Sequence, residues 1–399
     1  MLDLMKLARQ MQGISQHLSQ EAAASRKRLD IAHQLWEQAT VKQDLLVQQH
    51  QSWRKALGFN AALPVEPLDT CVEVNVPPEV QTVIATDGSQ IAPSHHEIAY
   101  CYLINVGRVL LHYGQNRQPL LDSLPEVFYR PEELYVSRQW GIRTEEWMGY
   151  VRTVSEAVML AELGSMLLAT TVPEKSASHI PNLAMVDGSL IYWFLEQLPT
   201  PARDRLLPPI LNAWNQLQEA GIPIVGYLSS SRSGEALNFL RLQSCAYPEP
   251  NCAKNCNNAD EAPCQVFHPL RDTTFWGFFL QPGQRSCLWQ SSARILEHYG
   301  SQKIYFCYLH VGHEIARIDF PAWVAENSTL LDNALSLTIA QVQKGYGYPV
   351  VLAEAHNQAV VRGGDRARFF ALLEQEMIKA GLKNVGTSYK ETRKRGSIA

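Results

Sequence analysis

Val83-Ile84-Ala85-Thr86-Asp87-Gly88-Ser89 is a short apolar run that closes on Asp-Gly-Ser, and Leu183-Ala184-Met185-Val186-Asp187-Gly188-Ser189 repeats the pattern one hundred residues later. Each run has the length and aliphatic content of a buried strand. The pair therefore predicts two strands, each ending on a carboxylate. A strand end holds a side chain rigidly, and the adjacent glycine lets a backbone or a phosphate come close. The serine can hydrogen-bond the carboxylate or cap the next segment. Asp-Gly is also a common turn pair. Two copies, each after a buried strand, point to one shared site as readily as to two unrelated turns.

Between the two motifs, Cys101 to Val106 and Val109 to Tyr113 flank Gly107-Arg108 and predict a β-hairpin. Residues 145–170 predict a helix that is apolar on nearly all sides, through Val151, Val154, Val158, Leu163, Met166 and Leu167, and so buried. That helix carries Arg152, Glu156 and Glu162. Strands are expected at 222–227, 303–310, 315–320 and 350–352, with helices at 201–220, 328–344 and 364–380. Strands interleaved with helices predict an α/β fold around a mixed sheet.

The first 57 residues hold no Pro and a single Gly, Gly13. Apolar residues recur there at helical spacing, as in Leu4, Ala8, Met11 and Leu18. This predicts an N-terminal helical arm over 1–62, packed on its own domain or on a second subunit. A Pro-rich linker follows at 63–78. The α/β domain is expected over 80–380, with a Cys-rich insertion at 245–264 and a basic tail over 381–399 that contains Lys390, Arg393, Lys394 and Arg395.

Of the 399 residues, 46% are hydrophobic and 19% charged, the composition of a folded chain with a large core. The net charge of −4 does not suggest a broad nucleic-acid-coating surface. A nuclease can nevertheless gather its acidic residues at a metal site and keep its basic groove local. No apolar run approaches the ~18 residues of a membrane span, and the N-terminus lacks the features of a signal peptide, so a cytoplasmic protein is expected. No Gly-x4-Gly-Lys-Ser/Thr loop is present, so the chain is not expected to hydrolyse ATP.

Paired carboxylates repel each other and shift each other's pKa unless a cation lies between them. Hard divalent ions such as Mn²⁺ and Mg²⁺ prefer oxygen ligands. Asp87 and Asp187 are therefore the candidate metal ligands, with Glu156 as the third and Glu162 in reserve. Arg152 and Glu156 also stand four apart, so a helix salt bridge is the alternative for that carboxylate. In Tyr346-Gly-Tyr348-Pro-Val-Val-Leu-Ala-Glu354-Ala-His356-Asn357 a strand is expected to lead into His356, with Tyr348 at its other end. His356 could bind a metal or relay a proton, and Tyr348 could orient a phosphate or stack on a base.

Cys245, Cys252, Cys256 and Cys264 fall within twenty residues. Four thiolates could hold a structural Zn²⁺ or an iron–sulfur cluster. The spacing lacks paired C-x2-C knuckles, and the alternative is an exposed insertion with reduced thiols. The other four cysteines, Cys71, Cys101, Cys287 and Cys307, sit in or near apolar runs and read as core residues.

Taken in order, the first Asp-Gly-Ser, the helix with Arg152-x3-Glu156, the second Asp-Gly-Ser-Leu and the late Tyr348-x7-His356 resemble the NurA family of DNA double-strand-break repair nucleases, over roughly residues 80–375. The resemblance implies an RNase H-like nuclease core elaborated by helices and dependent on Mn²⁺ or Mg²⁺. It implies 5′-to-3′ exonuclease and single-strand endonuclease activity in DNA end resection, usually by a homodimer working with a HerA-type hexameric translocase. Carried over, Asp87, Asp187 and Glu156 would be metal ligands, and Tyr348 and His356 would complete the catalytic set. One departure stands out. Family members often have a Lys in the region that here reads Val225-Gly-Tyr-Leu-Ser-Ser-Ser-Arg232, which leaves Arg232 as the candidate DNA contact.

Two other readings use the same residues: an RNase H-like nuclease acting on RNA, and a non-catalytic scaffold that binds nucleic acid or a partner. A serine nucleophile at Ser89 or Ser189 lacks both a Gly-x-Ser-x-Gly elbow and an obvious base.

Overall fold

The computed structural model describes residues 3–93, 99–169, 180–256 and 262–382. Most of the expected basic tail, including Lys390, Arg393, Lys394 and Arg395, lies outside the described residues, as does 257–261 of the Cys-rich insertion. The chain is α/β, with mixed-sheet and helical layers, and its contacts divide it into two units. One comprises residues 1–74 and 227–322, the other residues 75–226 and 323–399. Residues 1–62 share a unit with 227–322.

The first unit opens with a 38-residue helix, Leu4–Val41, whose start is capped by Asp3 accepting from the backbone N–H groups of Met5 and Lys6. A second helix, Gln43–Trp53, follows. Ala32, Trp36, Ala39 and Leu46 are buried in a core with Phe275, Trp276 and Trp289. The Trp36 ring lies 5.0 Å from Phe275 and 5.1 Å from Trp276, so this end of the arm is anchored on its own unit. Toward the N-terminus Leu4, Met11, Ile14 and Leu18 remain exposed. Strands Trp289–Gln290, Ile304–His310 and Ile315–Pro321 form an antiparallel sheet with the short strands Leu63–Pro64, Cys71–Glu73 and Gln284–Ser286.

In the second unit the sheet runs in the order Ile224–Leu228 (its first three residues), Asn182–Asp187, Gln81–Ile91, Tyr102–Tyr113, Leu120–Phe128. Gln81–Ile91 pairs in parallel with Asn182–Asp187 and antiparallel with Tyr102–Tyr113. Helices Thr144–Ala169, Thr200–Glu219, Ser328–Lys344 and Val350–Ala359 belong to this unit.

Four local expectations are corrected. The first Asp-Gly-Ser lies inside the 11-residue strand Gln81–Ile91, with Asp87 paired opposite Gly107. Gly107-Arg108 is no turn but the middle of the 12-residue strand Tyr102–Tyr113. The helix Thr144–Ala169 is buried along one side only, since Met166 is 43% exposed. Val350-Val351-Leu352 opens a helix, Val350–Ala359, with Pro349 at its N-cap. There Val351, Leu352, Ala355 and Ala359 bury a helical stripe, a period the β-branched pair concealed.

Candidate active site

Asp87 projects from mid-strand and Asp187 from the last residue of the neighbouring parallel strand. Glu156 faces them from the Thr144–Ala169 helix. That helix is fixed to the sheet where the Thr86 hydroxyl donates to the Glu156 carbonyl at 2.9 Å. Thr86, Asp87, Arg152, Glu156, Asp187 and Tyr192 line a cavity of about 290 Å³.

The two motif glycines serve different needs. A Cβ on Gly88 would come within 2.4 Å of Glu156 Oε1 and 2.6 Å of Arg152 Cγ, so the glycine makes room for the helix carboxylate. Gly188 has φ +110°, and a Cβ there would meet nothing within 4 Å, so its requirement is conformational. The two motif serines act as staples. Ser89 donates to the carbonyl of Ala359 and accepts from the N–H of Val361 at 3.1 Å, tying the strand to the end of the Val350–Ala359 helix. Ser189 accepts from the N–H of Ile191 at 2.9 Å.

His356 reaches the site from the Val350–Ala359 helix, and its Nδ1 stands 2.8 Å from Asp87 Oδ2. An ionised carboxylate only accepts, so Nδ1 carries the proton and Nε2 faces away from Asp87. Gly107 allows this placement: a Cβ there would lie 2.4 Å from the Ala355 carbonyl oxygen and 2.5 Å from the Ala359 nitrogen. Asn105 adds a hydrogen bond from Nδ2 to the Ala359 carbonyl at 2.8 Å.

Glu156 and Asp187 are held against their electrostatic preference. Burial, followed by the charges of Asp87 and Asp187, pushes Glu156 up to about 8 against the opposing pull of Arg152. Arg152 Nε lies 3.2 Å from Glu156 Oε1, so the helix salt bridge exists and does not remove Glu156 from the site. Asp187 is raised by burial and by Asp87, while a hydrogen bond from Tyr348 favours its charged form. Glu162 is exposed, does not line this cavity, and exerts its charge on Arg108.

Three carboxylates, an imidazole and a glycine-cleared approach are a donor set with the chemistry of a hard divalent-cation site. The side chains are turned to protein partners instead: among the described residues no group of three or more His, Cys, Asp or Glu is disposed to hold a metal ion. The donor types fit the ion. Of the lining residues, Tyr192 carried no signal in the sequence; Arg152 did, through its spacing to Glu156.

Arg232, the expected DNA contact, lies in the first unit, where it lines a cavity of about 380 Å³ with Arg241, His268 and Arg271. Cys245, Cys252, Cys256 and Cys264 face a second, much smaller cavity of about 10 Å³ in the same unit.

Among comparisons with known proteins, the NurA domain family model matches residues 81–361. The crystal structure of the NurA nuclease from Sulfolobus solfataricus matches with a TM-score of 0.47 and 14% identity, covering 78% of this chain and 88% of that one. No curated protein matches.

Proposed function

The chain belongs to the NurA domain family, and from that premise we propose that it is a metal-dependent deoxyribonuclease acting at Asp87, Glu156 and Asp187. The observation that carries the proposal is the convergence of those three carboxylates, two on adjacent parallel strands and one on a helix whose approach Gly88 permits. The mixed sheet bearing them supports an RNase H-like core. The three carboxylates would hold Mn²⁺ or Mg²⁺, which when bound supplies positive charge against the scissile phosphate and its attacking water.

The chain's own residues do the rest. Asp87 orients His356 through Nδ1, which leaves Nε2 to exchange a proton with the reacting oxygen. Tyr348 donates to Asp187 and favours its charged form against the effect of burial. Arg152 balances charge beside Glu156 and stands at the cavity wall, where a phosphate oxygen can be met. Away from the carboxylates, the cavity lined by Arg232, His268 and Arg271 has no carboxylate among its lining residues, which supports a contact with the DNA backbone there.

The finer reading includes 5′-to-3′ exonuclease and single-strand endonuclease activity in DNA end resection. It includes a homodimer and a HerA-type hexameric ATPase as partners, in the cytoplasm. The lack of a phosphate-binding ATPase loop supports a separate motor. The exposed Leu4, Met11, Ile14 and Leu18, spaced seven, three and four apart, support pairing of the N-terminal helix with a second copy. Among the described residues no helix is long and apolar enough to cross a membrane.

The test is cleavage of end-labelled linear DNA and of the matching RNA with Mn²⁺, Mg²⁺ or EDTA, using wild type, Asp87→Ala and Asp187→Ala. Metal-dependent DNA degradation lost in both folded variants is the expected result. Preference for RNA would shift the reading to a ribonuclease. Binding without cleavage in every metal, with the translocase added, would leave a non-catalytic scaffold. Activity surviving both substitutions would mean that the site lies elsewhere.

A further inference from the structure

The segment 244–256, which follows helix Leu237–Gln243, buries little apolar surface. Ala246, Tyr247, Pro248 and Glu249 are exposed, and the short helix Cys252–Asn255 buries no residue. The insertion turns sulfur inward: Cys245, Cys252, Cys256 and Cys264 line one cavity, and all four are free thiols. The cavity, about 10 Å³, has at most the room of a single water. A loop that cannot offset its ordering entropy by apolar burial needs a cross-link or a metal to hold it.

A second observation comes from the neighbouring helix. Arg241 is only 8% exposed and lines the same cavity. Its Nε and Nη2 both donate to Cys264 Sγ at 3.4 Å, and its guanidinium lies 3.7 Å from the Phe59 ring centroid. Among the described residues no carboxylate pairs with it. A buried guanidinium without an anion is costly, and a neutral thiol is a weak acceptor that does not offset its charge. Four thiolates around a divalent metal carry a net double negative charge, and a tetrathiolate iron–sulfur cluster is likewise anionic. Either places an anion beside the Arg241 guanidinium.

We propose that Cys245, Cys252, Cys256 and Cys264 form a structural metal centre for a thiophilic metal, with Arg241 donating to its Cys264 sulfur. As free thiols the four side chains share a cavity without being disposed as ligands. Ligation draws them inward by side-chain rotation and the loss of their protons. The shared chemistry is tetrathiolate coordination, and metal analysis separates a single zinc ion from an iron–sulfur cluster. The centre is independent of the nuclease carboxylates, which lie in the other unit.

The full-length chain, without a histidine tag, is produced with zinc and iron supplied and purified anaerobically without chelator. An Asp87→Ala/Asp187→Ala background keeps zinc off the carboxylates. Zinc, iron and acid-labile sulfide are then measured per chain. The expected result is stoichiometric zinc without sulfide, or iron with matching sulfide, lost in Cys252→Ser/Cys256→Ser. Arg241→Gln should retain the metal but yield it to a competing chelator at roughly 10–100-fold lower chelator concentration, as loss of an outer-shell partner does. Should the double serine variant fail to fold, thiol titration of the native chain decides: the four cysteines react only after a chelator or acid has released the metal. Neither zinc nor iron at stoichiometric level, unchanged metal in the folded double variant, or immediate reaction of all four thiols would overturn the proposal.

Discussion

Gly107 and Ala355 approach so closely that a Cβ on Gly107 would lie 2.4 Å from the Ala355 carbonyl oxygen. Gly107 is also the residue paired opposite Asp87 in the sheet. One glycine thus seats the helix that carries His356 directly beside the strand that carries Asp87. Gly107→Ala must push this helix outward, since the obstructing atoms are backbone and cannot rotate away. A cost of about 1–3 kcal/mol is expected from such overpacking. Cleavage should fall further, by ~100-fold, because a displacement near 1 Å disorders the His356–Asp87 pair. Urea unfolding and cleavage rate measured on the same variant check this. Full activity at reduced stability would show that the helix position does not matter to the chemistry.

The two Asp-Gly-Ser glycines should separate under the same substitution. In Gly88→Ala the new Cβ meets the carboxylate oxygen of Glu156 and the middle of the Arg152 side chain rather than backbone, so the strain falls on those side chains and the carboxylate is displaced. In Gly188→Ala nothing is touched, but the alanine is forced to φ +110°. About 1–3 kcal/mol of backbone strain is expected there. Stability should therefore drop more at position 188, and divalent-cation affinity, followed by calorimetry, more at position 88. The reverse order would contradict these roles for the two glycines.

Much of this arrangement can be read from the residues, for reasons that differ by element. The helix Ser328–Lys344 is marked at both ends, by Asn327 accepting from the Leu330 N–H and by Gly345. Asp87 and Asp187 announce themselves by repetition. The strand through Gly107 is not legible, because a glycine that admits a neighbouring helix has the same letter as a glycine in a turn. Val350-Val351-Leu352 misleads because its helical burial is set by the strand it packs on rather than by local propensity. The role of Tyr192 depends wholly on tertiary placement.

The buried ion network of the first unit gives a stability prediction. Arg317 stands 3.0 Å from Glu235 and 2.7 Å from Asp319, with side-chain exposures of 3%, 6% and 0%. Its guanidinium also lies 3.7 Å from the Phe306 ring centroid. Arg317→Met leaves two buried carboxylates without their cation, and a loss of about 3–5 kcal/mol is expected. Replacing Glu235 and Asp319 by apolar residues in the same chain should recover much of that loss. Chemical denaturation of the single and triple variants tests this, and an equal or larger loss in the triple variant would contradict it.

Asp272 should make the same unit pH-sensitive. It accepts from the N–H groups of Ala236 and Leu237 at 3.1 and 2.9 Å and from the Tyr308 hydroxyl at 2.5 Å. Burial nevertheless outweighs those bonds and pushes its carboxyl up from 3.8 to about 6. A carboxyl raised on folding binds its proton more tightly in the native state. Its contribution to stability is therefore full below pH 4 and lost as the pH rises through about 6. The change corresponds to ~3 kcal/mol across that window. Asp272→Asn removes the titration while keeping an oxygen for one of the two N–H donors, which bond to different carboxylate oxygens. The stability of wild type relative to Asp272→Asn should therefore decline between pH 4 and 7, whatever the other carboxylates of the chain do, because they are common to both proteins. Urea unfolding at several pH values gives the difference directly. A flat difference would mean that the backbone, Tyr308 and Arg317 contacts just balance burial, and a rise with pH would mean that they outweigh it.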